Sequence, residues 1–333
     1  MQCLKSLLKC ILAGVVASAV LCLVLLPYSL LPVHIENPEG NTDYVWPANS
    51  RWSKMTEGVA FGTFDEKGYN NREVIENPDI LVLGSSHTEA TNVLQTQNFS
   101  ALLSEKFAGT YTVYNQGVAA HHFLKVCKYL PRNAELNPEA KYIIIETGNV
   151  MFDREAVDGL LNGTVDFIAS KHSGLVGALQ KLPFPRAVYH QLTGGLLDLF
   201  MPQKTAGPAT TLAEKQPEEK VYDDLFGYIQ EALKRTEAQL IIMYHPTGIL
   251  QQDGAVSFQE NDAALAMFGS KCQEYGISFV DMTQPFLDMY ATEHKLPHGF
   301  ITGEAGSGHI NADGHAKIAE ELEKHILAPE EAG

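Results

Sequence analysis

From residue 79 onward, short apolar runs alternate with longer stretches of helical periodicity. Ile80 to Leu83, bounded by Pro78, reads as a buried strand, and Thr112 to Tyr114, Tyr142 to Glu146, Leu240 to Tyr244 and Ser278 to Val280 follow in the same style. Helices are expected between them: near Asn98 to Lys106, near His122 to Leu130, an amphipathic one over Tyr222 to Lys234, and one around Ala263 to Tyr275. A last helix, capped by Asn311 or Asp313, carries its apolar stripe on Ala319, Leu322 and Ile326. Alternation of this kind implies a parallel sheet covered by helices on both faces, an α/β fold of three α/β/α layers.

The ends of this pattern differ. Ile11 to Leu31 is uncharged and mostly apolar, long enough for a transmembrane signal anchor, with residues 1–10 as a cytoplasmic arm. Lys5 and Lys9 precede it, and Glu36, Glu39 and Asp43 follow. That asymmetry predicts a single-pass protein of the cell membrane with its domain outside the cytoplasm. Residues 33–77, rich in Asn, Gly, Pro and aromatics such as Trp46, Trp52, Phe61 and Phe64, read as a stalk that folds back as a flap, or as a packed linker. The domain proper spans 78–328. It is interrupted at about 152–220 by an irregular insertion with short-helix signals at Gly174 to Leu179 and Leu196 to Met201.

Composition narrows the function. The net charge of −16 excludes nucleic acid as a partner, because phosphate binding needs basic patches. Of five cysteines, only Cys127 and Cys272 lie in the exported part; one disulfide or two buried thiols both fit. No metal-ligand cluster at helical or hairpin spacing stands out, so no metal or cofactor is expected.

The chemistry collects at strand ends. Ile80 to Leu83 opens into Gly84-Ser85-Ser86-His87, which places the Ser86 hydroxyl in the crevice where open α/β sheets bind ligands. A serine hydroxyl needs a base to become a nucleophile, and His309, in Gly308-His309-Ile310-Asn311, is the candidate. His87 reads as a helix-start residue beside the nucleophile, and His245 ends the strand Leu240 to Tyr244; both are candidates for substrate contact.

The run Ile80-Leu81-Val82-Leu83-Gly84-Ser85-Ser86-His87 resembles the first block of the GDSL/SGNH hydrolases, in the Gly-Ser-Ser-His variant of membrane-anchored bacterial members. The resemblance covers roughly residues 79–327 and implies the SGNH/flavodoxin-like form of the three-layer sandwich. It implies Ser86 as nucleophile and three oxyanion donors: the Ser86 amide, the Gly117 amide after Tyr111 to Gln116, and the Asn149 side chain after Tyr142 to Gly148. The segments Thr56-Glu57-Gly58 and Gly68-Tyr69-Asn70-Asn71 are similar to the same subgroup and would border the site. Two positions depart from the pattern. Ser85 stands where the family has aspartate, and Gly306 stands three residues before His309, where the family carries its triad acid. Glu304, Asp313 or a backbone carbonyl could orient the imidazole instead.

Together these features imply an extracytoplasmic serine esterase that removes acyl groups, acetyl foremost, from a carbohydrate. Transfer of the acyl group onto a cell-wall or exported polysaccharide, with a membrane partner as acyl donor, uses the same acyl-enzyme. A glycan-binding scaffold that lost its triad acid is the non-catalytic alternative.

Overall fold

Ile80, Leu81, Val82 and Leu83 leave no polar face, so a strand built from them must be covered on both sides. The structure, a computed structural model, describes residues 2–25, 32, 34–54, 57–165, 216–250, 254–258, 262–300 and 306–328. In it these four residues form β5 (Ile80–Leu83), the first strand of a five-stranded sheet completed by β6 (Val113–Asn115), β7 (Tyr142–Thr147), β8 (Gln239–Tyr244) and β11 (Ser278–Asp281). The spatial order is β6-β5-β7-β8-β11, and every neighbouring pair is parallel. The order reverses between β5 and β7, which opens a crevice beyond their carboxyl ends.

Successive side chains of a strand point to opposite faces, and the two helical layers divide accordingly. Leu81, Leu83, Ile143, Ile145, Leu240 and Ile242 pack with α4 (Phe123–Leu136), α5 (Arg154–Leu161), α6 (Glu219–Leu233) and α7 (Asp262–Glu274). Ile80, Val82, Ile144, Ile241 and Met243 pack with α3 (Phe99–Lys106), α8 (Thr283–Glu293) and α9 (Ala312–Leu327). Ile144 is fully buried at the centre of the second layer, so Ile144→Ala should cost about 2–5 kcal/mol, read as a lowered denaturant midpoint.

Local signals account for most boundaries. The Asn98 side chain caps α3 by accepting from the Ala101 amide at 2.7 Å, and Asn311, not Asp313, caps α9 by accepting from Gly314 at 3.0 Å. A break is expected at Pro131, yet α4 runs through it to Leu136, because Asn133 and Ala134 are buried beyond the point where the ring removes a hydrogen bond. Helix α8 and a hairpin of β9 (Gly248–Leu250) with β10 (Val256–Phe258) lie outside the sequence expectations. Cys127 and Cys272 are free, buried thiols in one core cluster, and burial pushes both thiols up from their ordinary range.

Residues 34–77 form two small antiparallel hairpins, β1 (Ile35–Glu36) with β2 (Tyr44–Val45) and β3 (Arg51–Lys54) with β4 (Ala60–Thr63). They pack on the domain. Trp46, Trp52, Ala60 and Phe64 make a satellite core, while the abundant asparagines bond across the junction: Asn41 Nδ2 donates to Asn133 Oδ1 at 2.9 Å, and Asn71 Nδ2 to the Asn115 carbonyl at 2.9 Å. Trp46 Nε1 donates to Glu89 Oε1 at 2.8 Å beneath the nucleophile turn.

Helix α1 (Gln2–Leu25) starts earlier than the expected anchor and includes Lys5 and Lys9. Among the described residues, no helix is long and apolar enough to cross a membrane, and residues 26–31 of the expected span lie outside them. The expected helical segments at 174–179 and 196–201 also lie outside the described residues, whereas α5 occupies the start of the expected insertion.

Candidate active site

The turn after β5 becomes a short helix, α2 (Ser86–Glu89), with Ser85 as its N-cap; the Ser85 hydroxyl accepts from the His87 amide at 3.3 Å. Ser86 therefore occupies the first helical position, at the carboxyl edge of the sheet and partly exposed. Amides at a helix start have no intrahelical partner, so the Ser86 N–H belongs to a class of donors free to meet an oxyanion.

His309 is brought to Ser86 by the loop preceding α9. Its Nε2 lies 2.9 Å from Ser86 Oγ, and its Nδ1 lies 2.5 Å from Glu57 Oε2. The carboxylate that meets His309 is Glu57, delivered by the loop between β3 and β4. Glu304 lies outside the described residues, and Asp313 instead pairs with Lys295 at 3.1 Å. The hydrogen bond from His309 holds the Glu57 carboxyl below the usual carboxylate range, with Lys54 adding attraction, against the upward push of burial. Glu57 Oε2 also accepts from Asn92 Nδ2, whose Oδ1 accepts from Lys54 Nζ at 2.8 Å.

The glycines around His309 leave no acidic side chain three residues before it. Gly306 adopts φ +80° and Gly308 φ +86°, a region L side chains rarely enter. A Cβ at Gly308 would also lie 2.6 Å from Glu57 Oε1, so the loop is built for an acid arriving from the flap.

Behind the nucleophile stands Glu146, at the end of β7. Its Oε2 accepts from the Ser85 amide at 2.8 Å, the Ser85 hydroxyl at 2.8 Å and the Thr88 hydroxyl at 3.0 Å, while Oε1 lies 2.8 Å from His245 Nε2. Burial pushes this carboxyl up, but His245, His87 and the Ser85 amide outweigh burial and hold it well below its ordinary value.

The remaining expected residues divide. His87 is beside the nucleophile, its Nδ1 accepting from the Ile310 amide at 3.3 Å, and its ring lies 4.5 Å from that of His245 and 5.0 Å from that of His309. Gly117 does not fill the expected role. Its amide donates to Asn115 Oδ1 at 2.8 Å and its Cα faces the α2 backbone, so that N–H is not available to an oxyanion. Asn149 is exposed at the crevice with its side chain looped onto Met151, donating to the carbonyl and accepting from the amide, both at 3.0 Å. Turning toward a substrate would require breaking both bonds.

Against the expectation of no metal cluster, the structure gathers His87, His245 and His298, with one ring nitrogen from each lying within 4.8 Å of the others. No pairwise spacing reveals them, since His87 comes from α2 and the other two from separate connections far along the chain. Burial and neighbouring histidines push His298 down to about 3. Beside His298 lies a cleft of about 810 Å³, bordered by Gly58, Asn92, Leu296, Phe300 and Asn311.

The fold and these contacts define a serine–histidine–glutamate relay at the carboxyl edge of a doubly wound sheet, suited to acyl transfer through the serine hydroxyl. No protein-family model matches the chain, and no curated protein does. Among solved structures, TesA is similar at 13% identity and TM-score 0.41, over 74% of this chain and 97% of its own. A catalytic mutant of Axe2, an acetylxylan esterase from Geobacillus stearothermophilus, matches at 13% and 0.41, over 77% and 97%. The acetyl xylan esterase AlAXEase matches at 12% and 0.41, over 74% and 100%.

Proposed function

We propose that this chain is an SGNH-like serine esterase that removes acyl groups, acetyl foremost, from a carbohydrate outside the cytoplasm, with its N-terminal helix holding it at the membrane. The observation that carries the reading is the continuous relay from Ser86 Oγ through His309 to Glu57, at 2.9 and 2.5 Å. His309 Nε2 takes the Ser86 proton as Oγ attacks the acyl carbon, and Glu57 stabilises the imidazolium that results. The same proton passes to the departing sugar hydroxyl, and water, activated in turn by His309, releases the acid from Ser86. The Ser86 amide is the first oxyanion donor, and Asn149 the second once its side chain leaves Met151. Glu57 beside His309 Nδ1 supports this reading over a scaffold, which rested on the absence of an acid.

Labelling of the full chain by a fluorophosphonate tests the proposal. One label per chain is expected, on Ser86, absent from Ser86→Ala and strongly slowed in His309→Ala. Equal labelling of wild type and Ser86→Ala would overturn it. With the labelled serine established, acetate released from an acetylated glycan into water or onto a second sugar separates hydrolysis from transfer.

A further inference from the structure

We propose that His87, His245 and His298 form a three-histidine site for a divalent transition metal of the zinc class, beside the nucleophile but separate from the serine relay. Three imidazoles converging on one point is the donor set such ions prefer, with a fourth position left to water or substrate. The nitrogens already lie within 4.8 Å of one another, and a tetrahedral zinc site needs them about 3.4 Å apart at Zn–N distances of about 2.0–2.1 Å. A movement of roughly an ångström closes the difference.

Two independent features point to a ligand there. His245 and His298 are each 1% exposed, yet His245 Nδ1 and both nitrogens of His298 have no hydrogen-bond partner among the described residues. Buried polar atoms are ordinarily paired. The second feature is Glu146, which lies 2.8 Å from His245 Nε2. A carboxylate there holds the proton on Nε2 and leaves Nδ1 as a bare lone pair, the arrangement by which metal-binding histidines are oriented. Gly148 allows it: a Cβ at that position would come within 3.1 Å of His245 Cε1.

His87 is the ligand that must adjust. Its Nδ1 accepts from the Ile310 amide at 3.3 Å, so coordination through Nε2 moves the ring proton to Nδ1 and gives up that long bond. No ring proton is lost in the exchange. His298 borders the cleft, so the fourth position would face the space from which water or substrate enters.

The site stands independently of the esterase reading, and its test does not use turnover. The full chain, stripped with a chelator and dialysed, is titrated with Co²⁺ alone and followed by the visible absorption of tetrahedral cobalt, then by displacement with Zn²⁺. One equivalent per chain is expected, with affinity at least 100-fold weaker in His245→Ala and His298→Asn and about 10–100-fold weaker in Glu146→Gln. Ser86→Ala and the exposed His325→Ala should bind as wild type does. Far-UV circular dichroism of the metal-free variants separates lost ligands from lost fold. Failure of the wild-type chain to hold one equivalent would overturn the proposal. So would undiminished binding by the folded His298→Asn protein.

Discussion

Glu57→Gln is expected to lower kcat for an aryl acetate by about 10⁴-fold, against about 10⁶-fold for Ser86→Ala or His309→Ala. The difference follows from what each group does. In the proposed mechanism Ser86 and His309 make and break bonds, whereas Glu57 sets the tautomer: its carboxylate, 2.5 Å from His309 Nδ1, holds the proton there and leaves Nε2 bare to receive the Ser86 proton. A glutamine amide can donate to Nδ1, which puts the ring proton on Nε2, the wrong side for a base. KM should change little, since the loss lies in the transition state and not in binding. The same substitution has a signature in stability. The Glu57 carboxyl is held below its ordinary value in the folded chain, so its contribution is fully present above the usual carboxylate range and disappears as pH falls through the lowered value. Glu57→Gln should therefore flatten the acid limb of the wild-type stability profile. Wild-type kcat in Glu57→Gln, with kcat lost in Glu304→Gln instead, would move the acid to the 301–305 segment.

Why Glu57 is hard to find in the sequence is a matter of physical distance along the chain. Ser86 is legible because an all-apolar run such as Ile80 to Leu83 can only be a doubly covered strand, and the small residues after it mark the sheet's carboxyl edge. His309 is legible from Gly308 and the Asn311 cap that starts α9. Glu57 is separated from His309 by 252 positions and sits in the connection of one short hairpin, β3 with β4, that has no hydrophobic period to place it. The available signal is indirect: glycine three residues before His309, together with a Thr56-Glu57-Gly58 segment expected only to border the site. The His87, His245 and His298 cluster is less legible still. His245 follows β8 directly and His87 lies in α2 just past β5, but His298 lies in a loop marked by an isolated bridge to Ile310. Helix α8 escapes for a related reason. Only Phe286 and Met289 are buried along it, too few apolar positions to define a stripe.

Glu146→Ala is expected to destabilise the chain by about 3–5 kcal/mol, lowering Tm by roughly 10 °C in chelator, because it removes the acceptor of four buried or partly buried donors. The Glu146 side chain is 1% exposed, so water cannot readily replace it, and each stranded donor costs about 1–3 kcal/mol. The cost falls on the functional turn as well as on the fold. Three of the four bonds tie Ser85 and Thr88, the residues flanking Ser86 and His87, to the end of β7. Without them the Ser86 hydroxyl is free to drift from His309 Nε2, and a misplacement of about 1 Å can lower turnover on the order of 100-fold. Glu146→Gln separates charge from shape. Its remaining oxygen can still accept from Ser85 and Thr88 while its amide now faces His245 Nε2, so the nucleophile turn should hold while the histidine is released. Turnover should then fall less than in Glu146→Ala, with most of the stability retained. An unchanged Tm in Glu146→Ala would mean that the turn is held by the Ser85 cap and the Asn115–Thr88 bond alone. In that case the carboxylate would serve His245, and through it the three-histidine cluster, more than it serves Ser86.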